Sequence, residues 1–452
     1  MRVHFIAMGG SVMHNLALAL HHKGIIVTGS DDEFFEPSKS RLAACGLLPT
    51  ETGWHPERIT SNLDAVILGM HATNDNPELQ QARKLGIKVY SFPEYLFEQT
   101  KDKKRIVVGG SHGKTTTTSM IMHVLHKLNK KFDYMVGAQI EGFDTMVGLS
   151  TDAPIAIFEG DEYLSSTLDP TSKFLRYKPD VAILTGIAWD HINVFPTWES
   201  YVDTFQKFAN SIMPNGKFIY FGGDKELKKI ALSVRNDVET IAYDGLSFHT
   251  QNDKTIVVHN GKEYNVNVFG KHNMQDMNAA MLACQQIGVS EEEFLTAIQT
   301  FGGAAKRLQL LKKSGNNIAF LDFAHSPSKL KATTEAVHER FPDKQLVACM
   351  ELHTFSSLTK AFLPQYAHTM DAANKAYVYF NPEVISHKRL DPITTDEVTK
   401  AFEHNNLKVF TNSAKLIEQL KTEKLENTVL LIMTSGNFDG VDIKQLAEKL
   451  IK

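Results

Sequence analysis

Residues 107–118 read VVGGSHGKTTTT, and they combine glycine amides, one ammonium group and a run of hydroxyls. That combination suits a phosphate. The segment before it, KDKKRIV, turns from charged to apolar, and the segment after it, SMIMHVLHKL, repeats apolar residues at helical spacing. A strand, glycine turn and helix in succession present amide hydrogens at a helix N-terminus, where hydrogen bonds and the helix dipole both favour an anion. Lys114 adds a mobile cation for terminal phosphates, and Thr115 offers a hydroxyl to the Mg2+ that accompanies ATP. The general eight-residue phosphate-loop pattern is not met, because Val108 stands where its first glycine belongs. The shorter form Gly110-Ser111-His112-Gly113-Lys114-Thr115-Thr116 is intact and predicts ATP binding.

Other groups are placed to act on the same phosphate. Glu159 and Asp161 in IAIFEGDEY and Asp190-His191 in ILTGIAWDHINVFPT each follow an apolar run. They are expected at the carboxyl ends of strands, on the edge that carries the glycine loop. Carboxylates there can hold Mg2+, and a neutral imidazole can take a second divalent ion. FGKHNMQDMNAA places His272, Asn273 and Asp276 at the start of a helix, and AAKRLQLL puts Arg307 just past a glycine-rich hinge. IAFLDFAHSP ends a strand with Asp322 and His325, residues suited to a ribose hydroxyl.

A second glycine turn lies at the N-terminus. VHFIAMGGSVMHNLALALHHKGIIVTGSD holds a strand, Gly9-Gly10, a helix, a second strand and then Ser30-Asp31. Asp31 stands about 20 residues after the turn, where a dinucleotide fold puts its ribose-binding carboxylate. The G-x-G-x-x-G spacing is broken, since Ser11, Val12, Met13 and His14 follow the glycine pair. The turn still suits a diphosphate, and a nucleotide-sugar diphosphate fits at least as well as NAD.

The elements that must position these residues alternate strand and helix throughout, which predicts an α/β protein with parallel sheets. Length and punctuation divide the 452 residues into three domains: 1–101, Rossmann-like; 102–302, the phosphate-loop domain; and 303–452, again Rossmann-like. Asn260-Gly261 signals a hairpin within the middle segment. A net charge of -4 gives no basic excess for nucleic acid, and no apolar stretch approaches the length of a membrane span. A cytoplasmic protein is expected. Cys45, Cys284 and Cys349 lack metal-ligand spacing and read as core residues.

Taken together, these residues resemble the Mur ligase family, the ATP-dependent amide-bond-forming enzymes of peptidoglycan metabolism, along essentially the whole chain. The resemblance implies that GSHGKTT binds ATP, that Thr115, Glu159 of EGDE and His191 of DH hold the metal, and that Asn273 of GKHN contacts adenine near Asp276. It implies that Arg307 of KR faces the terminal phosphate and that Asp322 and His325 of DFAHSP lie on the ribose side, with Lys114, Glu159, His191 and Arg307 carrying catalysis. Gly9, Gly10, Ser30, Asp31 and His71 correspond to the UDP-sugar site, so the first domain is similar to a UDP-N-acetylmuramate (UDP-MurNAc) holder rather than an NAD domain.

Within the family, TGSD, DFAHSP and an N-terminus without a leader domain resemble the branch that acts on unsubstituted UDP-MurNAc. FEPSKSRL, EGDEYLSSTLDPTSKFLRYKP and HINVFPT resemble the member that attaches the tripeptide L-Ala-γ-D-Glu-meso-diaminopimelate in recycling; L-alanine is the alternative amine. Asp276 stands where the family usually has asparagine, and MELHTFSSL differs from the arginine-containing loop of either branch. The implied reaction is phosphorylation of the lactyl carboxylate by ATP and attack of an amine on the acyl phosphate, with the third domain closing over the second to exclude water. An NAD-dependent oxidoreductase and a non-catalytic nucleotide sensor are the rival readings. The broken glycine fingerprint counts against the first, and the presence of Lys114, Glu159 and His191 against the second.

Overall fold

Apolar runs without alternation, such as AVIL at 65–68, IVVG at 106–109 and VAIL at 181–184, become strands buried on both faces. Parallel sheets covered by helices require this. The computed structural model describes residues 1–451 except 71, 252 and 253. His71, expected at the sugar nucleotide, therefore lies outside the described residues. The chain divides into two units: Met1–Ile187 with Glu199–Asp244 and Met277–Ile298, and Ala188–Trp198 with Gly245–Asp276 and Gln299–Lys452.

The first unit holds two sheets. Four parallel strands lie in the order Ile26–Ser30, Arg2–Ile6, Ala65–Leu68, Val89–Ser91. Their helices begin on local signals: Asn76 accepts the amides of Glu78 and Leu79, and Ser91 with Glu94 forms a capping box. The second sheet orders seven strands as Glu239–Tyr243, Lys217–Phe221, Val181–Leu184, Lys104–Gly109, Ile155–Glu159, Asp133–Met135, Val147–Gly148, and only the last pairing is antiparallel. Lys104–Gly109 sits between two parallel neighbours, in a register that sets Val108 opposite Glu159 and Gly109 opposite Leu184. The carboxyl ends of three strands thus share one edge. Helix Trp198–Asn210 buries Tyr201, Phe205 and Phe208 against this sheet, with Phe208 stacked on Phe174 at 4.4 Å.

The second unit contains a small antiparallel sheet, Phe248–Gln251, Lys254–His259 and Lys262–Val266. Asn260 and Gly261 form its turn with φ of 49° and 74°, as the hairpin signal predicts. Its larger sheet orders six strands as Gln309–Ser314, Asn317–Asp322, Thr428–Met433, Gln345–Leu352, Lys375–Phe380, Leu407–Phe410, and only the first pairing is antiparallel. A core of Phe320, Leu346, Val378, Phe402 and Leu431 lies beneath it. The expected α/β architecture built on parallel sheets is present. Cys284 and Cys349 are buried and Cys45 only partly so.

Candidate active site

The strand Lys104–Gly109 runs into Gly110, whose φ is 129°, and a Cβ there would collide with Thr185 Oγ1. Gly113, at φ 78°, then starts helix Lys114–Lys127 from a left-handed conformation. Between them the Ser111 amide donates to Gly186 O at 2.9 Å, and Ser111 Oγ lies 2.8 Å from the Tyr201 hydroxyl. Thr185 Oγ1 donates to His112 O, which ties the loop to the neighbouring strand end.

Three carboxylates meet the start of this helix. Lys114 Nζ donates to Glu162 Oε2 at 2.7 Å and to Gly110 O at 2.5 Å. Tyr201 donates to the other oxygen, Glu162 Oε1, at 2.9 Å. Thr115 Oγ1 donates to Glu159 Oε1 at 3.0 Å, and the Gly137 amide to Glu159 Oε2 at 2.7 Å. Asp161 is paired with Lys173 at 2.6 Å. Burial alone would lower the Lys114 pKa, but the charge of Glu162, and then of Asp161, outweighs it and raises the pKa above the ordinary lysine value. The structure therefore brings Gly110, Ser111, His112, Gly113, Lys114, Thr115, Thr116 and Glu159 together.

Glu162 and Tyr201 were not among the expected residues. Glu162 carries a signal, being the second glutamate of EGDE, although its neighbour Asp161 was the one singled out. Tyr201 carries none, because an aromatic on the buried face of helix Trp198–Asn210 reads as core.

At the N-terminal turn, the Gly9 amide donates to Asp31 Oδ2 at 2.6 Å and the Asp32 amide to Asp31 Oδ1 at 2.9 Å. Helix Ser11–His22 begins directly after Gly10. Ser30 Oγ accepts from Arg58 at 3.3 Å. Burial, and after it Asp32, pushes the Asp31 carboxyl up to about 6. Asp31 thus shapes the turn through two backbone amides. Helix Ser11–His22 is joined to the edge of the seven-stranded sheet, because Asn15 Oδ1 accepts at 2.9 Å from the amide of Met146, which precedes strand Val147–Gly148; the same oxygen accepts from Arg41 at 3.2 Å.

The remaining candidates belong to the second unit. Asp190 and His191 lie in the loop that follows strand Val181–Leu184, with Asp190 about six residues past Leu184 rather than at the strand end, and His191 has a φ of 54°. Asp190 Oδ1 accepts from the His191 amide at 2.7 Å and from Ser356 at 3.2 Å, and its other oxygen lies 3.8 Å from His325 Nε2. Burial, and then Lys329, lowers the His325 pKa. Asp322 accepts the amides of Leu308 and Ala324, both at 2.7 Å, and so fixes the turn that carries Arg307. The Arg307 guanidinium lies 4.6 Å over the Phe323 ring. Asn273 donates to Phe269 O at 2.7 Å, and Asp276 is buried in the same helix, Lys271–Gln285. Asp190, Arg307, Asp322 and His325 therefore share the surroundings of one strand end, that of Asn317–Asp322, and Asn273 and Asp276 sit on a separate helix.

Family profiles match along the chain: the Mur ligase family catalytic domain at residues 2–104, the Mur ligase middle domain at 108–284 and the Mur ligase glutamate ligase domain at 306–436. A UDP-N-acetylmuramate–L-alanine ligase from Pediococcus pentosaceus is 29% identical over 447 residues, 96% of this chain and 95% of its own. The protein of that name from Lactiplantibacillus plantarum is 31% identical and covers 83% of both chains. Among solved structures, a murein peptide ligase from Psychrobacter arcticus superposes with a TM-score of 0.68 at 23% identity, covering 100% of this chain and 98% of its own. A UDP-N-acetylmuramate–alanine ligase from Thermotoga maritima gives 0.69 at 21%, with the same coverage.

Proposed function

The chain belongs to the Mur ligase family and is an ATP-dependent amide-bond-forming ligase; from that premise we propose that it joins the lactyl carboxylate of UDP-MurNAc to the amine of L-alanine, a step of peptidoglycan synthesis. One observation carries the choice of amine: the similarity to L-alanine ligases extends over nearly the whole of both chains. The carboxylate oxygen attacks the γ-phosphorus and ADP leaves. The amine then attacks the acyl carbon, phosphate departs, and the nitrogen loses a proton.

In this reading the glycine-loop amides and Lys114 offset the charge of the transferring phosphoryl group. The turn at Gly9-Gly10 and the N-terminus of helix Ser11–His22 hold the diphosphate of the sugar nucleotide. The Thr115 hydroxyl and the Glu159 carboxylate, 3.0 Å apart, are hard oxygen donors of the kind Mg2+ selects. The ion would add Lewis-acid stabilisation of phosphate charge. Asn273, Asp276, Arg307, Asp322, His325 and His191 belong to the second unit, and their roles toward nucleotide and metal rest on the family resemblance.

The tripeptide L-Ala-γ-D-Glu-meso-diaminopimelate is the second reading, favoured by FEPSKSRL, EGDEYLSSTLDPTSKFLRYKP and HINVFPT. Either substrate presents an alanine amine, and they differ in the carboxylates that follow. Lys173 is paired with Asp161, and Arg176 with Asp169 and Glu94, so these two cations are already balanced. ADP release with UDP-MurNAc and each amine in turn decides. A kcat/KM at least tenfold higher for L-alanine is expected, and the reverse ratio assigns the tripeptide. Release with neither removes the reading.

A further inference from the structure

We infer that Tyr201 is a positioning residue of the glycine loop, holding Ser111 and Glu162 so that the loop and Lys114 keep the geometry that ATP requires. Tyr201 is fully buried, with its ring edge-on to Phe205 at 5.1 Å. Donor counting gives the network a direction. An ionised carboxylate only accepts, so Lys114 and Tyr201 both donate to Glu162, at 2.7 and 2.9 Å. A tyrosine has one hydroxyl proton, and Glu162 takes it. In the 2.8 Å contact with Ser111, serine is therefore the donor.

The result is a one-way chain, Ser111 to Tyr201 to Glu162, which Lys114 enters from the other side. The Ser111 amide is also turned inward, to Gly186 O at 2.9 Å. Both hydrogens of Ser111 thus serve the shape of the loop, and phosphate contact falls to its neighbours and to Lys114. Lys114 and Tyr201 each donate to a different oxygen of Glu162, so losing the tyrosine hydroxyl removes one of the bonds that hold its carboxylate toward Lys114. Packing explains the ring but not the hydroxyl. A phenylalanine would fill the same space without a buried polar group to satisfy.

The inference rests on the reading of residues 110–116 as the ATP site. The test compares Tyr201→Phe with the wild-type chain by steady-state kinetics and by calorimetric binding of Mg-ADP. We expect the KM for ATP and the Kd for ADP to rise about tenfold, equivalent to ~1.4 kcal/mol, with the KM for UDP-MurNAc within twofold. Ser111→Ala should raise the KM for ATP by less, because Tyr201 still holds Glu162, and the double variant should be no worse than Tyr201→Phe, which already removes the bond to Ser111. If Tyr201→Phe does not fold, Ser111→Ala alone carries the expectation. A nucleotide KM and Kd within twofold of wild type, or additive losses in the double variant, overturns the inference while leaving the ATP site in place. A wild-type chain without UDP-MurNAc-dependent ATP turnover overturns both.

Discussion

The turn after strand Arg2–Ile6 and the loop after strand Lys104–Gly109 both lead from a parallel strand through glycine into a helix, yet their electrostatics are opposed. At the first, a carboxylate, Asp31, accepts the amide of Gly9, and burial moves its pKa upward. At the second, an ammonium, Lys114, is kept charged by Glu162 and hydrogen-bonded to Gly110 O. The difference matches the two tasks proposed. A diphosphate that is only held needs amides and a helix terminus, whereas a phosphoryl group in transfer gains charge and needs a fixed cation. Topology supplies the shared strand, turn and helix, and a few side chains around each turn decide what it can do.

The largest effect expected from that contrast is at Lys114. Lys114→Ala should lower kcat/KM by about 10²- to 10³-fold or more, the scale for removing one electrostatic stabiliser of a transition state. UDP-MurNAc affinity, measured by calorimetry, should be unchanged, because the sugar nucleotide is assigned to the other turn. Near-normal ADP release would take the glycine loop out of the reaction.

A smaller contrast lies in the glycines themselves. Gly110 needs its φ of 129° and has no room for a Cβ beside Thr185. Gly9 is limited by space alone, since a Cβ there would lie 3.0 Å from Asp31 Oδ2 and 3.2 Å from Phe34 Cδ1. Gly110→Ala should therefore cost about 3 kcal/mol of stability, from backbone strain and overpacking together, and Gly9→Ala about 1 kcal/mol. Equal losses in denaturant unfolding would mean that both turns relax alike.

The contrast itself was only half legible in the sequence. The strands, the hairpin at Asn260-Gly261 and the loop residues Gly110 to Thr116 follow from local pattern, because apolar runs and glycine punctuation act over a few residues. Asp31 was expected to face a ligand, but its first partners are the amides of Gly9 and Asp32, and no spacing rule distinguishes those outcomes. Tyr201 is invisible for a related reason: it meets Ser111 across 90 residues, on a helix face whose aromatics otherwise only pack. His191 follows an apolar run, as the sequence suggests, yet the loop that carries it leaves the strand and groups with the second unit.

The remaining effect expected is a pH dependence at Asp31. Its carboxyl is pushed up from the ordinary 3.8 to about 6, so between these values the folded chain keeps a proton that the unfolded chain has released. Stability must then fall as pH rises through that window, with the full deficit present above pH 6. A shift of about two units corresponds to roughly 2–3 kcal/mol as an upper bound, since Asp32 shares in the titration. Asp31→Asn removes the ionisation, so its melting temperature should gain on the wild type between pH 4 and 7, whatever fixed offset the new amide introduces against the Gly9 or Asp32 N–H. The same proton affects binding, because an ionised Asp31 places a negative charge beside the site assigned to the diphosphate. UDP-MurNAc affinity should weaken across the window in the wild type and stay level in Asp31→Asn. The KM for ATP should be level in both, since Lys114, with its raised pKa, stays charged throughout. A KM for ATP that follows the same curve would mean that the two turns share one titration, and the electrostatic contrast between them would fail.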